Sequence, residues 1–163
     1  MLVKMQGNPV TLIGNLPAVG SKVPEFTVTA ADLSDFSGAG HNGVRVYISV
    51  PSIDTPVCDM EVRRFNQEAA ALGNVSINVI SMDLPFAQAR WCGAAGIDAV
   101  KLFSDYKYRS FGEAFGVMIR ELGLLARAVF IVDAQNIVRY VQVVEEVTSE
   151  PDYEAVLKAL KTL

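Results

Sequence analysis

Within this chain of 163 residues, the stretch "PSIDTPVC", residues 51–58, ends on a cysteine placed where chemistry is possible. It follows the apolar run "VRVYISV" and leads into "DMEVRRFNQEAAAL", so a thiol sits where a buried strand turns into a helix. Asp54 or Thr55 can cap that helix, and Pro56 suits its first position because proline has no N–H to leave unpaired. The N–H groups of the first turn, those of Val57 and Cys58 among them, act with the helix dipole to favour a thiolate. Cysteines in such settings ionise at about 3.5–7.5. A free cysteine is commonly just a small buried hydrophobe. Here the strand-end position, the capping side chain and two prolines shape a pocket, which argues for reactivity.

Other candidate chemistry is weaker. "GAGHNG", Gly38 to Gly43, matches a dinucleotide fingerprint letter for letter. That motif must follow a strand and open a helix, whereas here a strand follows the glycines. The stretch reads as a surface loop, and His41 within it as a solvated residue. As the sole histidine it would have to be the base of any Cys-His or Ser-His scheme, so a hydrolase is disfavoured. Two cysteines and one histidine make no closed zinc site, and no metal or organic cofactor is expected. Asp54, Asp59 and Asp83 read as capping or surface groups. By spacing alone Cys92 is as readily a core thiol as a functional one, and Arg127 reads as a strand-edge charge.

Composition bounds the rest. The chain is 51% hydrophobic and 20% charged, a globular profile, with the length of one domain spanning 1–163. A net charge of −4 without a basic cluster argues against nucleic acid as a partner. No apolar run nears the roughly 18 residues of a membrane span, and the start lacks the apolar core of a secretion signal. Cytoplasmic residence, with both cysteines as thiols, is the expectation.

The elements that must position Cys58 follow from periodicity. "VTLIG", "LPAVGSKVPE" and "FTVTA" read as short strands, and "LSDFSGAGHNG" as a polar loop. "VRVYISV", "VSINVIS" and "VKLFS" read as buried strands. Val62, Phe65, Ala69 and Leu72 mark an amphipathic helix, and "LPFAQARWC" a short one with Pro85 in its first turn. A short helical piece carries Phe111 and Phe115. "ARAVFIVD" and "IVRYVQVV" should form an antiparallel hairpin, and "TSEPDYEAVLKALKTL" a last helix with Ser149 and Asp152 spaced as a capping box. The order β-α-β-α-β-α-β-β-α predicts an α/β thioredoxin-like fold: a central mixed sheet flanked by helices, with an N-terminal β extension.

Pro51, Thr55 and Cys58 spell P-x-x-x-T-x-x-C, which resembles the peroxiredoxin active-site pattern. "GNPVTLIGNLPAVGSKVPEFTV", "VRRFNQEAAAL", "SMDLPFAQARWCGAAGI", "LGLLARAVFIVD" and "TSEPDYEAVLKAL" narrow the resemblance to the thiol peroxidase subfamily, the atypical two-cysteine type, over nearly the whole chain. "FSGAGHNG" departs from the family's usual "F-x-G-K".

The resemblance implies a thiol-dependent peroxidase acting on hydrogen peroxide and organic hydroperoxides. Cys58 would be peroxidatic and Cys92, in "WCG", resolving, joined in an intramolecular disulfide that a thioredoxin-type reductant restores. Thr55 would direct its hydroxyl at sulfur or peroxide, Pro51 would screen the pocket, and Arg127 in "LARAVF" would hold thiolate and peroxide. The family also implies a homodimer. A non-enzymatic redox sensor or partner-binding domain is the alternative, using the same cysteine without turnover.

Overall fold

The computed structural model describes residues 2–38 and 41–163. Among these, seven strands build a central sheet around three that are parallel: β6 (Arg45–Ser49), β7 (Ser76–Ser81) and β8 (Val100–Ser104). On one side follow β11 (Ala128–Val132) and then β12 (Val138–Val143), both antiparallel. On the other follow β4 (Thr27–Thr29) and β5 (Asp35–Ser37). The order is β12-β11-β6-β7-β8-β4-β5.

The central strands are buried almost throughout because both faces are covered, all five residues of β6 among them. Val46 and Ile48 of β6, with Val129 and Ile131 of β11, face a core that also holds Val62 and Phe65 of α1 (Pro56–Leu72). Tyr153, Val156 and Leu160 of α4 (Tyr153–Lys161) complete it. The alternate residues Tyr47, Ala128 and Phe130 face a second core. There Phe111 of α3 (Ser110–Ala114) and Phe115 stack at 4.2 Å, with Phe26 edge-on to both. The side chain of Ala69, one of the periodic apolar positions, lies outside the described part of α1.

The extension precedes the sheet. β1 (Val3–Met5) and β2 (Asn8–Val10) form a hairpin about Gln6 and Gly7, both left-handed. β3 (Leu12–Ile13) pairs with β9 (Met118–Ile119), which pairs with β10 (Leu124–Leu125). The expected strand "VTLIG" is thus divided between β2 and β3, because the Gln6-Gly7 turn folds its first residue back on Val3. "LPAVGSKVPE" holds only an isolated bridge at Lys22. Part of the expected loop "LSDFSGAGHNG" is β5, whose Phe36 stacks on Phe103 at 4.8 Å. One aromatic in a three-residue strand leaves too little periodicity to see. Ala39 and Gly40 of that loop lie outside the described residues.

At α4 the expected capping box is not the cap. Asp152 alone is the N-cap, accepting from Ala155 N–H at 3.0 Å, and the helix starts at Tyr153, beyond Pro151. The remaining helix, α2 (Pro85–Ala95), begins on Pro85 as expected.

Candidate active site

Thr55 is the N-cap of α1 and Pro56 its first residue, which decides between the two candidate caps. The Thr55 hydroxyl accepts from Cys58 N–H at 3.4 Å and is 3.1 Å from the Ser52 carbonyl, to which it donates. Two expectations change here. The Cys58 N–H is not free, and the Thr55 proton is turned to Ser52 rather than to sulfur. Val57 N–H, by contrast, has no acceptor among the described residues, and Val57 is among the residues lining an apolar cavity of about 270 Å³.

Pro51, Thr55 and Arg127 line that cavity with Met5 and Val147. Cys58 is fully buried and outside that lining, but its sulfur lies 3.2 Å from Nη2 of Arg127, which lines the cavity. Arg127 stands immediately before β11, and three contacts fix its guanidinium. Nε donates to the Val147 carbonyl at 2.9 Å, Nη1 pairs with Glu61, and Nη2 reaches Cys58. Burial alone would lower its affinity for a proton; the Glu61 and Cys58 charges outweigh that and raise it. Cys92 is elsewhere, half-buried on α2, and burial pushes its thiol up. Both cysteines are free thiols.

Glu61 is the residue sequence reading missed. It is fully buried, and its Oε1 has no hydrogen-bond partner. Burial pushes its carboxyl up to about 7, Arg127 offsetting only part, with Glu150 adding to the rise. A signal was available: position 61 lies three after Cys58 and four before Phe65, on the apolar stripe of α1. A carboxylate at such a register needs a buried cation.

Asp83, expected as a capping or surface group, is half-buried and accepts from backbone and side chains. Its Oδ1 accepts from Ser52 Oγ at 2.7 Å, and its Oδ2 from Ile53 N–H at 2.9 Å and Ser81 Oγ at 2.6 Å, tying down the loop before Cys58. Asp59 pairs with Arg63 at 2.8 Å. His41 is half-buried, not solvated. Its Nδ1 is 2.7 Å from the Tyr47 hydroxyl, and burial lowers its pKa to about 4. It belongs with Phe36 and Phe103 against the core opposite Cys58, so it is no partner for the thiol. Among the described residues no group of three or more His, Cys, Asp or Glu is placed to hold a metal ion.

A buried cysteine at a helix start, bonded to a strand-edge arginine on a thioredoxin-like sheet, defines a class of thiol-chemistry proteins. The Redoxin family model matches residues 18–157. The thiol peroxidase of Bacillus subtilis is 53% identical over 99% of this chain and 97% of its own, and that of Streptococcus pneumoniae 47% identical over 99% and 100%. A peroxiredoxin-like protein from Aquifex aeolicus superposes with a TM-score of 0.92 at 44% identity, over 99% of this chain and 96% of that one. The chain belongs to the redoxin family, as a peroxiredoxin of the thiol peroxidase group.

Proposed function

We propose that residues 1–163 act as one domain that reduces hydroperoxides at Cys58 and is recycled through a Cys58–Cys92 disulfide. The observation that carries this is the 3.2 Å contact between the buried Cys58 sulfur and Arg127, which lines an apolar cavity. The guanidinium favours a thiolate and offers a second donor direction to an incoming oxygen.

The thiolate attacks one peroxide oxygen and the O–O bond breaks. The departing RO⁻ takes a proton as the alcohol or water, and sulfur, oxidised by two electrons, becomes Cys58–SOH. Arg127 and the free Val57 N–H donate where charge grows, and Pro51 covers the sulfur from solvent. Thr55 meets the peroxide once its hydroxyl swings from Ser52. Cys92 then displaces hydroxide as water, and a thioredoxin-type dithiol reduces the disulfide by exchange. The residues present require no metal or organic cofactor for these steps. We further propose a cytoplasmic homodimer.

The test is a coupled assay with thioredoxin, its reductase and NADPH. Sustained peroxide-dependent NADPH loss, abolished in Cys58→Ser, is the expected result. A single stoichiometric oxidation without turnover would refute the enzyme and leave a sensor.

A further inference from the structure

The two ends of α2 are fastened differently. At its start Pro85 is buried, and buried Gln88 donates to Ser81 Oγ at 3.0 Å and to the Phe103 carbonyl at 2.8 Å. Asp83, two residues before the helix, adds its bonds to Ser52, Ile53 and Ser81. The Gln88 bonds are buried and those of Asp83 part-buried, so opening this end would strand polar groups, the Gln88 amide first.

The Cys92 end has none of that. Gly93 and Ala94 are exposed, a Cβ on Gly93 would meet nothing within 4 Å, and the helix ends at left-handed Gly96. Among the described residues, its polar ties to α1 come from two side chains three positions apart. Arg63 Nη1 donates to the Ala95 carbonyl at a long 3.5 Å, and its guanidinium lies 5.7 Å from the centre of the Trp91 ring. Asn66 Oδ1 accepts from Ala99 N–H at 2.8 Å, four residues past the helix, and so holds the link from α2 to β8 rather than α2 itself. Asp59 holds Arg63 in place at 2.8 Å. The same Trp91 ring lines the groove beside Thr55, Pro56 and Asp59, between the Cys58 turn and the Cys92 turn. Trp91 is the residue next to Cys92, so the Arg63 contact on its ring bears directly on the turn that carries the second thiol.

We propose that Arg63 and Asn66 form a latch that keeps the Cys92 end of α2 closed in the dithiol form and sets how fast Cys92 reaches Cys58. The inference rests on the functional reading above, in which Cys92 resolves the sulfenic acid. In that step the Cys92 sulfur attacks Cys58–SOH; an S–S bond forms, the S–O bond breaks, and hydroxide leaves with the Cys92 proton as water. No outside electrons enter. A second hydroperoxide competes for the same sulfenic acid, oxidising it to sulfinic acid while its own O–O bond is reduced. The ratio of disulfide to sulfinic acid therefore reports how often the latch opens.

Hydrogen exchange on the thiol form and intact mass after graded hydrogen peroxide, for wild type, Arg63→Met and Asn66→Ala, test this. Arg63→Met keeps the apolar stem and removes the charge. Exchange at residues 91–99 should rise roughly 2–5-fold in Arg63→Met and roughly 2–10-fold in Asn66→Ala, with residues 85–89 unchanged. The peroxide dose giving equal disulfide and sulfinic acid should rise by the same factor. Unchanged exchange at 91–99, equal acceleration at both ends of α2, or faster exchange without a shift in that dose would each overturn the latch. A wild type that forms no Cys58–Cys92 disulfide overturns the functional reading instead, and the exchange comparison still decides the latch.

Discussion

Arg127 is held on three sides, and each contact restricts what its replacement can do. The Val147 carbonyl fixes Nε, Glu61 fixes Nη1, and Nη2 alone addresses the Cys58 sulfur. Lysine keeps a charge but cannot meet three acceptors lying in the plane of one fork. Arg127→Ala should slow peroxide reduction on the order of 10²–10³-fold, and Arg127→Lys should remain clearly impaired, measured as the rate of sulfenic acid formation in stopped flow. A rate within twofold of wild type in folded Arg127→Ala would remove this residue from the chemistry. The alanine variant also leaves Glu61 buried without its cation, so its folding must be checked by circular dichroism.

The N-terminal extension is what closes one wall of the cavity, and it is docked through backbone. Lys4 exchanges backbone bonds with Glu145 and Val147, and the Glu146 carboxylate accepts from Gln6 and Gly7 N–H. That places Met5 and Gln6 at the cavity, beside the Val147 that also holds Arg127. Lower down, β3 reaches β9 past Gly116, whose φ is +70° and where a Cβ would lie 2.5 Å from the Asn15 carbonyl carbon. Gly123 has a similar φ of +64° but open space around it. Gly123→Ala should therefore cost only its backbone strain, about 1 kcal/mol. Gly116→Ala should cost clearly more, because the extension's backbone must shift. Urea midpoints of the two variants compare them directly. Equal losses would mean that the extension does not depend on this close approach.

Two buried carboxyls should each withdraw stability as pH rises from about 4 to about 7. Asp105 is buried, and burial raises its carboxyl to about 6 although Gly112 and Phe111 N–H groups donate to it. An acid whose folded pKa is raised contributes stability that is fully present below its unfolded value and lost as pH passes the folded one. Glu61, raised to about 7, acts in the same direction. Urea midpoints should thus be higher near pH 5 than near pH 8, and Asp105→Asn should flatten the part of the slope below about pH 6. An Asp105→Asn variant whose midpoints follow the wild-type pH slope unchanged would contradict the assignment. His41, lowered to about 4 by burial, acts oppositely between about pH 4 and 6.5, and the buried, lowered Asp133 does so at the acid end. The lowered Asp32, Glu121 and Glu146 are exposed and screened by solvent.

Patterns local in sequence were legible before any coordinates: the cap and proline before Cys58, the period of α1, the apolar runs of β6, β7 and β11, and the hairpin to β12. Each depends on neighbours within a few residues, and each has a repeat long enough to register. Short pieces escaped, as β5 and the β1–β2 hairpin did, because three residues carry no period. Partnerships between distant residues escaped too. Glu61 meets Arg127 across 66 positions, Asp83 meets Ser52 across 31, and His41 is buried against Phe36 and Phe103 rather than solvated. Burial of a charge is settled by which elements pack over it, so only the tertiary structure turned an ordinary helix carboxylate and a strand-edge arginine into the pair that holds the thiol.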